Sequence, residues 1–417
     1  MNQLHIGLYL SNSCDKYQII DEVFENKSFA HIIDLSKISG LLFSTRTIEK
    51  LIDDEFRHDR VFVNTENNDS LSTMSSGQQK RALLTYLIAQ KPDYLVLDDV
   101  YSNIDKATQE YILQALTILS KTTLIIQLFF RKSDLLPFIQ KVITIDKNNT
   151  IVNVQSNQDY KQQIGKNEEK VHRFILPNLY ESNLATSNTN HPLIELHSVS
   201  VSYSERNILH NINWIIRKGE FWQLEGPNGS GKSTLVGMIC GDNPKAYNQD
   251  IVLFGIKKGS GETIWDIKRQ IGYFTPNMML RFTRNETVEN MIISGLNDSV
   301  GLYTEPTDLQ KDIARNWVEM LGTSFRNKLF QQLSIGQQRM VMVARAMVKH
   351  PPLLILDEPT IELDDENSTL FIEMVQAIAA ENQVAIIYIS HRDEENLRPS
   401  KIFELVKTDN GYTGVVK

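Results

Sequence analysis

The sequence predicts an α/β protein in which a parallel sheet covered by helices is built twice in tandem, the first copy truncated. Three observations carry this expectation. Leu333-Ser334-Ile335-Gly336-Gln337-Gln338-Arg339 has a counterpart in Met74-Ser75-Ser76-Gly77-Gln78-Gln79-Lys80. In both copies an Asp ending an apolar run follows the Ser by 23 residues, Asp98 after Ser75 and Asp357 after Ser334, and a second Asp follows by 7, Asp105 and Asp364. Strand-like runs at 214–216, 222–224, 353–356 and 385–389 alternate with helical stretches at 233–240, 336–349 and 368–380, the order expected of parallel strands joined by helical crossovers.

At 417 residues the chain exceeds one ordinary domain of roughly 150 residues. With 41% hydrophobic and 23% charged residues it has the composition of a packed globular protein rather than a disordered one. The longest apolar runs, 122–130 and 384–389, are strand-length, short of the roughly 18 residues of a membrane-spanning helix. Residues 1–10 lack a basic segment ahead of an apolar stretch, so a cytoplasmic location is expected. Cys14 and Cys240 are far apart, which argues against a disulfide framework and a zinc site. The 43 basic residues against 51 acidic ones give no strong nucleic-acid signal.

Each copy closes with a hairpin-like stretch, 142–154 around Lys147-Asn148-Asn149 and 402–416 around Asp409-Asn410-Gly411. Between them, 155–189 is rich in Asn, Gln, Ser and Lys with scattered apolar residues (Phe174, Ile175, Leu176) and reads as a linker. The expected organisation is a first domain over 1–154, a linker over 155–189 and a second domain over 190–417. About 35 flexible residues span roughly 30 Å, enough for the two domains to face one another.

The second copy carries Gly226-Pro227-Asn228-Gly229-Ser230-Gly231-Lys232-Ser233-Thr234 between a strand and a helical run. Glycines at 226, 229 and 231 let backbone N–H groups turn toward one anion, and the helix adds the positive end of its dipole. Lys232 is expected to reach the β and γ phosphates, and Ser233 to offer its hydroxyl to Mg²⁺. Asp357 is placed to hold Mg²⁺, and Glu358 to polarise an attacking water. His391, beyond the strand at 385–389, is expected to contact the γ-phosphate. Tyr203, 29 residues before Lys232, offers a ring on which adenine can stack.

Together, Tyr203, the loop 226–234, the motif 333–338, Asp357, Glu358, Asp364 and His391 resemble the ATP-binding cassette (ABC) ATPases, whose P-loop NTPase fold is then implied. The resemblance covers residues 193–417. Gly259-Ser260-Gly261-Glu262-Thr263-Ile264-Trp265-Asp266-Ile267-Lys268, Ile271-Gly272-Tyr273 and 333–339 narrow it to the tandem-cassette ATPases associated with molybdenum transport and photorepair. It implies ATP and Mg²⁺ as ligands, and cassettes paired so that each ATP lies between one phosphate loop and the other copy's signature. A signature helix N-terminus with a Ser hydroxyl stabilises γ-phosphate charge from the far side.

Two departures matter. Cassettes place Gln at the end of the run that here reads Ile271-Gly272-Tyr273-Phe274-Thr275-Pro276, so Pro276 replaces the residue that senses Mg²⁺, water and the membrane partner. In the first copy, Lys16 aligns with Lys232, but Leu10, Ser13 and Asp15 fall under the three glycines and Tyr17 and Gln18 under Ser233 and Thr234. Such a loop is expected to be strained at Leu10 and Ser13, and the Asp15 carboxylate to repel an anion. Lys16 to Asp98 spans 82 residues against 125 from Lys232 to Asp357, so about 43 residues of inserted subdomain are missing from the first copy. Asp99 stands where Glu358 stands in the second. Ser75, Gly77 and Gln78 nevertheless survive, as required if the first copy caps ATP held by the second.

The leading expectation is an ATP hydrolase with one composite site, made by pairing of the two cassettes within the chain. It would be the motor subunit of a molybdate-type or other importer, bound to separate transmembrane permease subunits on the inner face of the plasma membrane. The alternatives are a soluble ATP-driven switch acting on another protein, the ribosome or nucleic acid, and a sensor that closes on ATP with little hydrolysis.

Overall fold

The computed structural model describes residues 4–27, 29, 32–58, 61, 63, 70–164, 174–177, 191–203, 206–392, 394 and 396–417. The chain divides into two compact units, Met1–Lys170 with Glu362–Asn367, and Val171–Ile361 with Ser368–Lys417.

In the first unit the elements run β1 (Ile6–Leu10), α1 (Lys16–Phe24), β2 (Gly40–Phe43), α2 (Thr45–His58), α3 (Ser76–Ala89), β3 (Tyr94–Asp98), α4 (Lys106–Leu119), β4 (Leu124–Phe129), β5 (Lys141–Ile145), β6 (Ile151–Ser156) and α5 (Asn157–Ile164). The six strands are ordered β2-β3-β4-β1-β5-β6. All neighbours are parallel except the closing hairpin β5–β6. Strands β3 and β4 are buried at every residue, as continuous Leu/Ile/Val runs must be when helices cover both faces. Two apolar clusters, one holding Ile112, Leu116 and Phe129 and the other Ile19, Ile20 and Ile126, pack on the sheet.

The second unit contains β7 (Ile194–Tyr203), β8 (Arg206–Ile216), β9 (Phe221–Glu225), α6 (Lys232–Ile239), β10 (Asp250–Leu253), β11 (Ile256–Lys257), α7 (Ile264–Lys268) and β12 (Ile271–Phe274). It continues with α8 (Val288–Ile293), α9 (Asp308–Leu321), α10 (Ile335–Met347), β13 (Leu353–Asp357), α11 (Asp365–Ala380), β14 (Ala385–Ile389), β15 (Lys401–Thr408) and β16 (Gly411–Val416). Its ten strands are ordered β11-β10-β7-β8-β16-β15-β9-β14-β13-β12. The segment β15-β9-β14-β13-β12 is parallel. Strands β7 and β8 form a long antiparallel ribbon whose burial alternates, the pattern of a sheet with one wet face. Beneath them Trp214 stacks on Phe403 with centroids 4.3 Å apart, inside the cluster that also takes in Leu224, Leu235 and Ile389.

Two features depart from the reading of the sequence. The first-copy loop is not strained: Leu10, Ser13 and Asp15 all avoid the left-handed region, and Asp15 takes φ −84°. A chain without glycines relaxes to an ordinary helix entry instead of keeping the cradle. The expected linker also begins later than 155: residues to Ser156 complete β6, and Asn157–Ile164 form α5. Tyr160 anchors that helix, buried against the rings of Tyr9 and Phe129, and the Asn157 amide donates to Ile139 O. Most of the remainder of 155–189 lies outside the described residues. Cys14 and Cys240 are both free thiols, and among the described residues no helix is long and apolar enough to cross a membrane.

Candidate nucleotide site

Strands β9, β14 and β13 lie side by side in parallel, with Leu224 opposite Ile389 and Ile389 opposite Asp357. The loop after β9, the acidic pair closing β13 and the His391 segment after β14 therefore emerge on one C-terminal sheet edge, the ligand side of an open parallel sheet. This register brings Lys232, Ser233, Asp357, Glu358 and His391 into one neighbourhood.

Gly226, Gly229 and Gly231 take φ of +148°, +74° and +97°. A Cβ at 226 would meet Ser230 Oγ at 2.8 Å and one at 231 would meet Leu209 Cδ2 at 2.7 Å. Gly231 is also the N-cap of α6 and offers no side chain to its first N–H groups. Ser230 Oγ is buried without a hydrogen-bond partner. Bare helix N–H groups and an orphaned hydroxyl inside a glycine cradle suit a phosphate anion. Lys232 Nζ donates to Gly226 O at 2.7 Å and Pro227 O at 3.1 Å, so the ammonium is held at the loop by carbonyls that phosphate oxygens are equipped to replace. Pro227, Asn228 and Ser230 complete the turn into α6. Ser233 is exposed in its first turn, and Thr234 is half-buried behind it.

Asp357 is mostly buried, and its carboxylate accepts a hydrogen bond from the Tyr273 hydroxyl at 3.3 Å. Burial pushes its pKa up, opposed by that bond and by the charge of Lys232. Glu358 takes φ +51°, its N–H donating to Ile389 O at 2.9 Å. Its Oε1 is buried without a hydrogen bond, and His391 Nε2 stands 3.3 Å away, at ion-pair distance but without hydrogen-bond alignment. Burial first, then the neighbouring Asp357 charge, push Glu358 up to about 7. A carboxyl at that pKa is suited to take a proton from water near neutral pH. Ser233 and Asp357 fit Mg²⁺ as a hydroxyl and a carboxylate oxygen.

Tyr203 ends β7 and is 43% exposed, with Lys245 Nζ 5.6 Å from its ring centroid. Its hydroxyl accepts from the Asn243 amide at 2.9 Å, which ties the ring to the segment after α6 rather than to the loop itself.

Ser75, Gly77 and Gln78 lie in the first unit, at the start of α3. Ser75 is the N-cap of a capping box: its Oγ accepts from Gln78 N at 3.4 Å, and Gln78 Oε1 accepts from Ser75 N at 2.9 Å. The Ser75 oxygen is engaged as an acceptor, which leaves its O–H proton as the group to offer an anion. Lys80 Nζ donates to Asp99 O at 2.8 Å and Ser102 O at 2.9 Å, binding the helix to the loop after β3. The second unit repeats the device: Ser334 and Gln337 form the same box, and Arg339 donates to Pro359 O at 2.7 Å and to Ile361 O.

In the first unit, Asp15 Oδ1 accepts from Tyr17 N and Gln18 N, both at 3.1 Å, so the carboxylate fills the helix N-terminus that α6 leaves bare. Lys16 is ion-paired with Asp98. Reading the sequence missed Tyr273, Asn243 and Lys80. Tyr273 was legible as part of a motif, but only strand register shows that it reaches Asp357.

A parallel sheet carrying this loop and acid pair on its C-terminal edge, with a capped Ser-x-Gly-Gln helix, defines a P-loop nucleotide-binding cassette. The chain belongs to the ATP-binding cassette (ABC) family. The family profile described as "ABC transporter" matches residues 209–361. The chain is 35% identical over 329 residues to the ABC transporter ATP-binding protein ModF of Escherichia coli (strain K12), covering 77% of this chain and 67% of that protein. It is 30% identical over 349 residues to an uncharacterized ABC transporter ATP-binding protein of Schizosaccharomyces pombe, covering 82% and 69%. Among solved structures, a chain from ribosome-bound archaeal Pelota and ABCE1 superposes with TM-score 0.63 at 14% identity over 99% of this chain and 74% of that one. That likeness shows the fold alone.

Proposed function

We propose that the chain hydrolyses ATP at one composite site, with nucleotide held by the second unit and its γ-phosphate capped by Ser75, Gly77 and Gln78 of the first. The observation that carries this reading is the contrast between the loops: glycines at positive φ before a bare α6, against Asp15 filling the start of α1. In this reading Tyr203 stacks on adenine and Lys232 binds the β and γ phosphates. Glu358, poised near 7, takes the proton of the attacking water, and His391 holds the γ-phosphate and that water in place. Ser233 and Asp357 would hold Mg²⁺, which would supply neutralising charge to the phosphates. Steady-state ATPase of Glu358→Gln against the parent tests it; an unchanged rate removes the assignment.

The finer reading is the ATP-binding motor of a transporter, molybdate-type or other, working with separate permease subunits at the inner face of the membrane. The names of its relatives support this. So does the short 3₁₀ segment Pro276–Arg281 after β12, in which Leu280 is 79% exposed. Pro276 in place of Gln favours a second reading, a non-transport switch acting on another protein, the ribosome or nucleic acid. Purification from membranes and from soluble extract separates the two: a polytopic membrane subunit bound in an ATP-sensitive manner supports transport, and its absence with a soluble partner in its place supports the switch.

A further inference from the structure

We propose that Tyr273 is a positioning residue for the metal-holding carboxylate, its hydroxyl fixing the orientation in which Asp357 meets Mg²⁺. The proposal rests on the reading of Asp357 given above. Edge strand β12 runs parallel to β13 with Tyr273 opposite Ile355 and Phe274 opposite Leu356, and from there the Tyr273 hydroxyl reaches Asp357 Oδ2 at 3.3 Å. Among the described residues no other side chain hydrogen-bonds that carboxylate. The strand cannot drift away: a Cβ at Gly272 would meet Ala346 O at 2.7 Å and Pro351 Cγ at 3.0 Å, so β12 is pressed against the end of signature helix α10. The Tyr273 ring packs on the core that holds Ile355 and Ile387.

The internal repeat supplies a control. In the first unit β2 pairs with β3 in the same register, Phe43 opposite Leu97 and Leu42 opposite Val96, so Leu42 stands where Tyr273 stands and Phe43 where Phe274 stands. The copy whose glycine loop is gone has no hydroxyl there, and its Asp98 is neutralised by Lys16 instead. The hydroxyl thus accompanies the carboxylate that is left for a metal.

The test uses the full chain carrying Glu358→Gln to stop turnover, with Mn²⁺ as the probe, followed by electron paramagnetic resonance in the presence of ATP. Tyr273→Phe should weaken Mn²⁺ binding by about tenfold, as removal of a ligand-orienting hydrogen bond does. ATP binding in EDTA should stay at the parent value. On the Glu358 background, the Mg²⁺ needed for half-maximal turnover should rise in Tyr273→Phe while kcat at saturating Mg²⁺ moves less than about twofold. Parent-like Mn²⁺ binding in Tyr273→Phe, with binding weakened in Asp357→Asn, overturns the role of Tyr273 alone. Parent-like binding in both overturns Asp357 as a metal ligand and the tyrosine's role with it. Loss of ATP binding in EDTA would place the effect in the loop and likewise overturn the proposal.

Discussion

Lys16 Nζ lies 3.3 Å from Asp98 Oδ2, an ion pair between the two residues that correspond to Lys232 and Asp357 of the second copy. In the second unit the lysine donates to loop carbonyls and the aspartate accepts from a tyrosine hydroxyl. In the first unit they satisfy each other. The Asp98 side chain is 5% exposed and its pKa is raised by burial, with Lys16 opposing that rise.

Removing one partner of that pair should therefore cost stability without costing nucleotide binding. Lys16→Met leaves a buried carboxylate uncompensated, and a loss of about 3 kcal/mol is expected in denaturant unfolding of the first unit. ATP stoichiometry should not change. Adding Asp98→Leu should recover most of the loss; unaltered stability in the single variant would mean that the pair contributes nothing.

Calorimetry should find one ATP per chain. Asp15 already occupies the N–H groups of Tyr17 and Gln18, and its charge opposes an incoming phosphate. A stoichiometry near two would refute the reading of the first loop.

Glu358→Gln should slow turnover by two to three decades, the effect of losing a transition-state contact worth about 3–4 kcal/mol. Lys232→Ala should act chiefly on ATP affinity, seen as a raised Kd in equilibrium binding. Parent-like turnover in the first variant, or parent-like affinity in the second, contradicts the role given to that residue.

The pH dependence follows from Glu358, which ordinarily titrates at 4.5 and is pushed up to about 7 here. If Glu358 is the base, as proposed, it must be ionised, and turnover should rise with pH through about 7 and then level off. Stability has the opposite sign. Between about 4.5 and 7 the folded chain holds a proton that the unfolded chain has released, so this group lowers stability as pH rises through that window. Without nucleotide, Glu358→Gln should therefore be the more stable protein at pH 8, by at most ~3 kcal/mol, with little difference at pH 4. Thermal unfolding at the two pH values checks the sign; an advantage for the variant at pH 4 alone would contradict it.

The two signature glycines separate pairing within the chain from pairing between chains. If the first unit caps the γ-phosphate as proposed, Gly77→Asp puts a carboxylate beside that charge, and hydrolysis should collapse while ATP affinity changes little. If the cassettes pair within one chain, Gly336→Asp should be mild, because the first-copy loop that would face that signature lacks the residues to hold nucleotide. Steady-state ATPase of the two variants decides. If Gly336→Asp abolishes activity and Gly77→Asp spares it, two chains pair through their second halves.

Much of the site was legible because its chemistry is written in short contiguous runs. A phosphate cradle needs glycines at fixed offsets, and Gly226, Gly229 and Gly231 declare it wherever the loop is placed. The acid pair Asp357-Glu358 closes an apolar run, and the match of residues 74–80 to 333–339 made both copies of the signature visible. The hairpins at the domain ends were equally local.

What the sequence alone determined is thus the α/β class, the repeat, and which loop kept the residues a phosphate needs. The tertiary structure decided everything that depends on strand order and burial. Parallel register brings Tyr273 to Asp357 across 84 residues of chain, and sets Leu42 in its place in the first unit. Packing on Tyr9 and Phe129 turns the start of the expected linker into α5. Relaxation of the glycine-free loop lets Asp15 cap α1 where strain was expected. Removal from water, rather than any neighbour in sequence except Asp357, raises Glu358 to about 7. The physical reason is common to all four: spacing reports local backbone demands, whereas register and desolvation arise only when distant segments close around a residue.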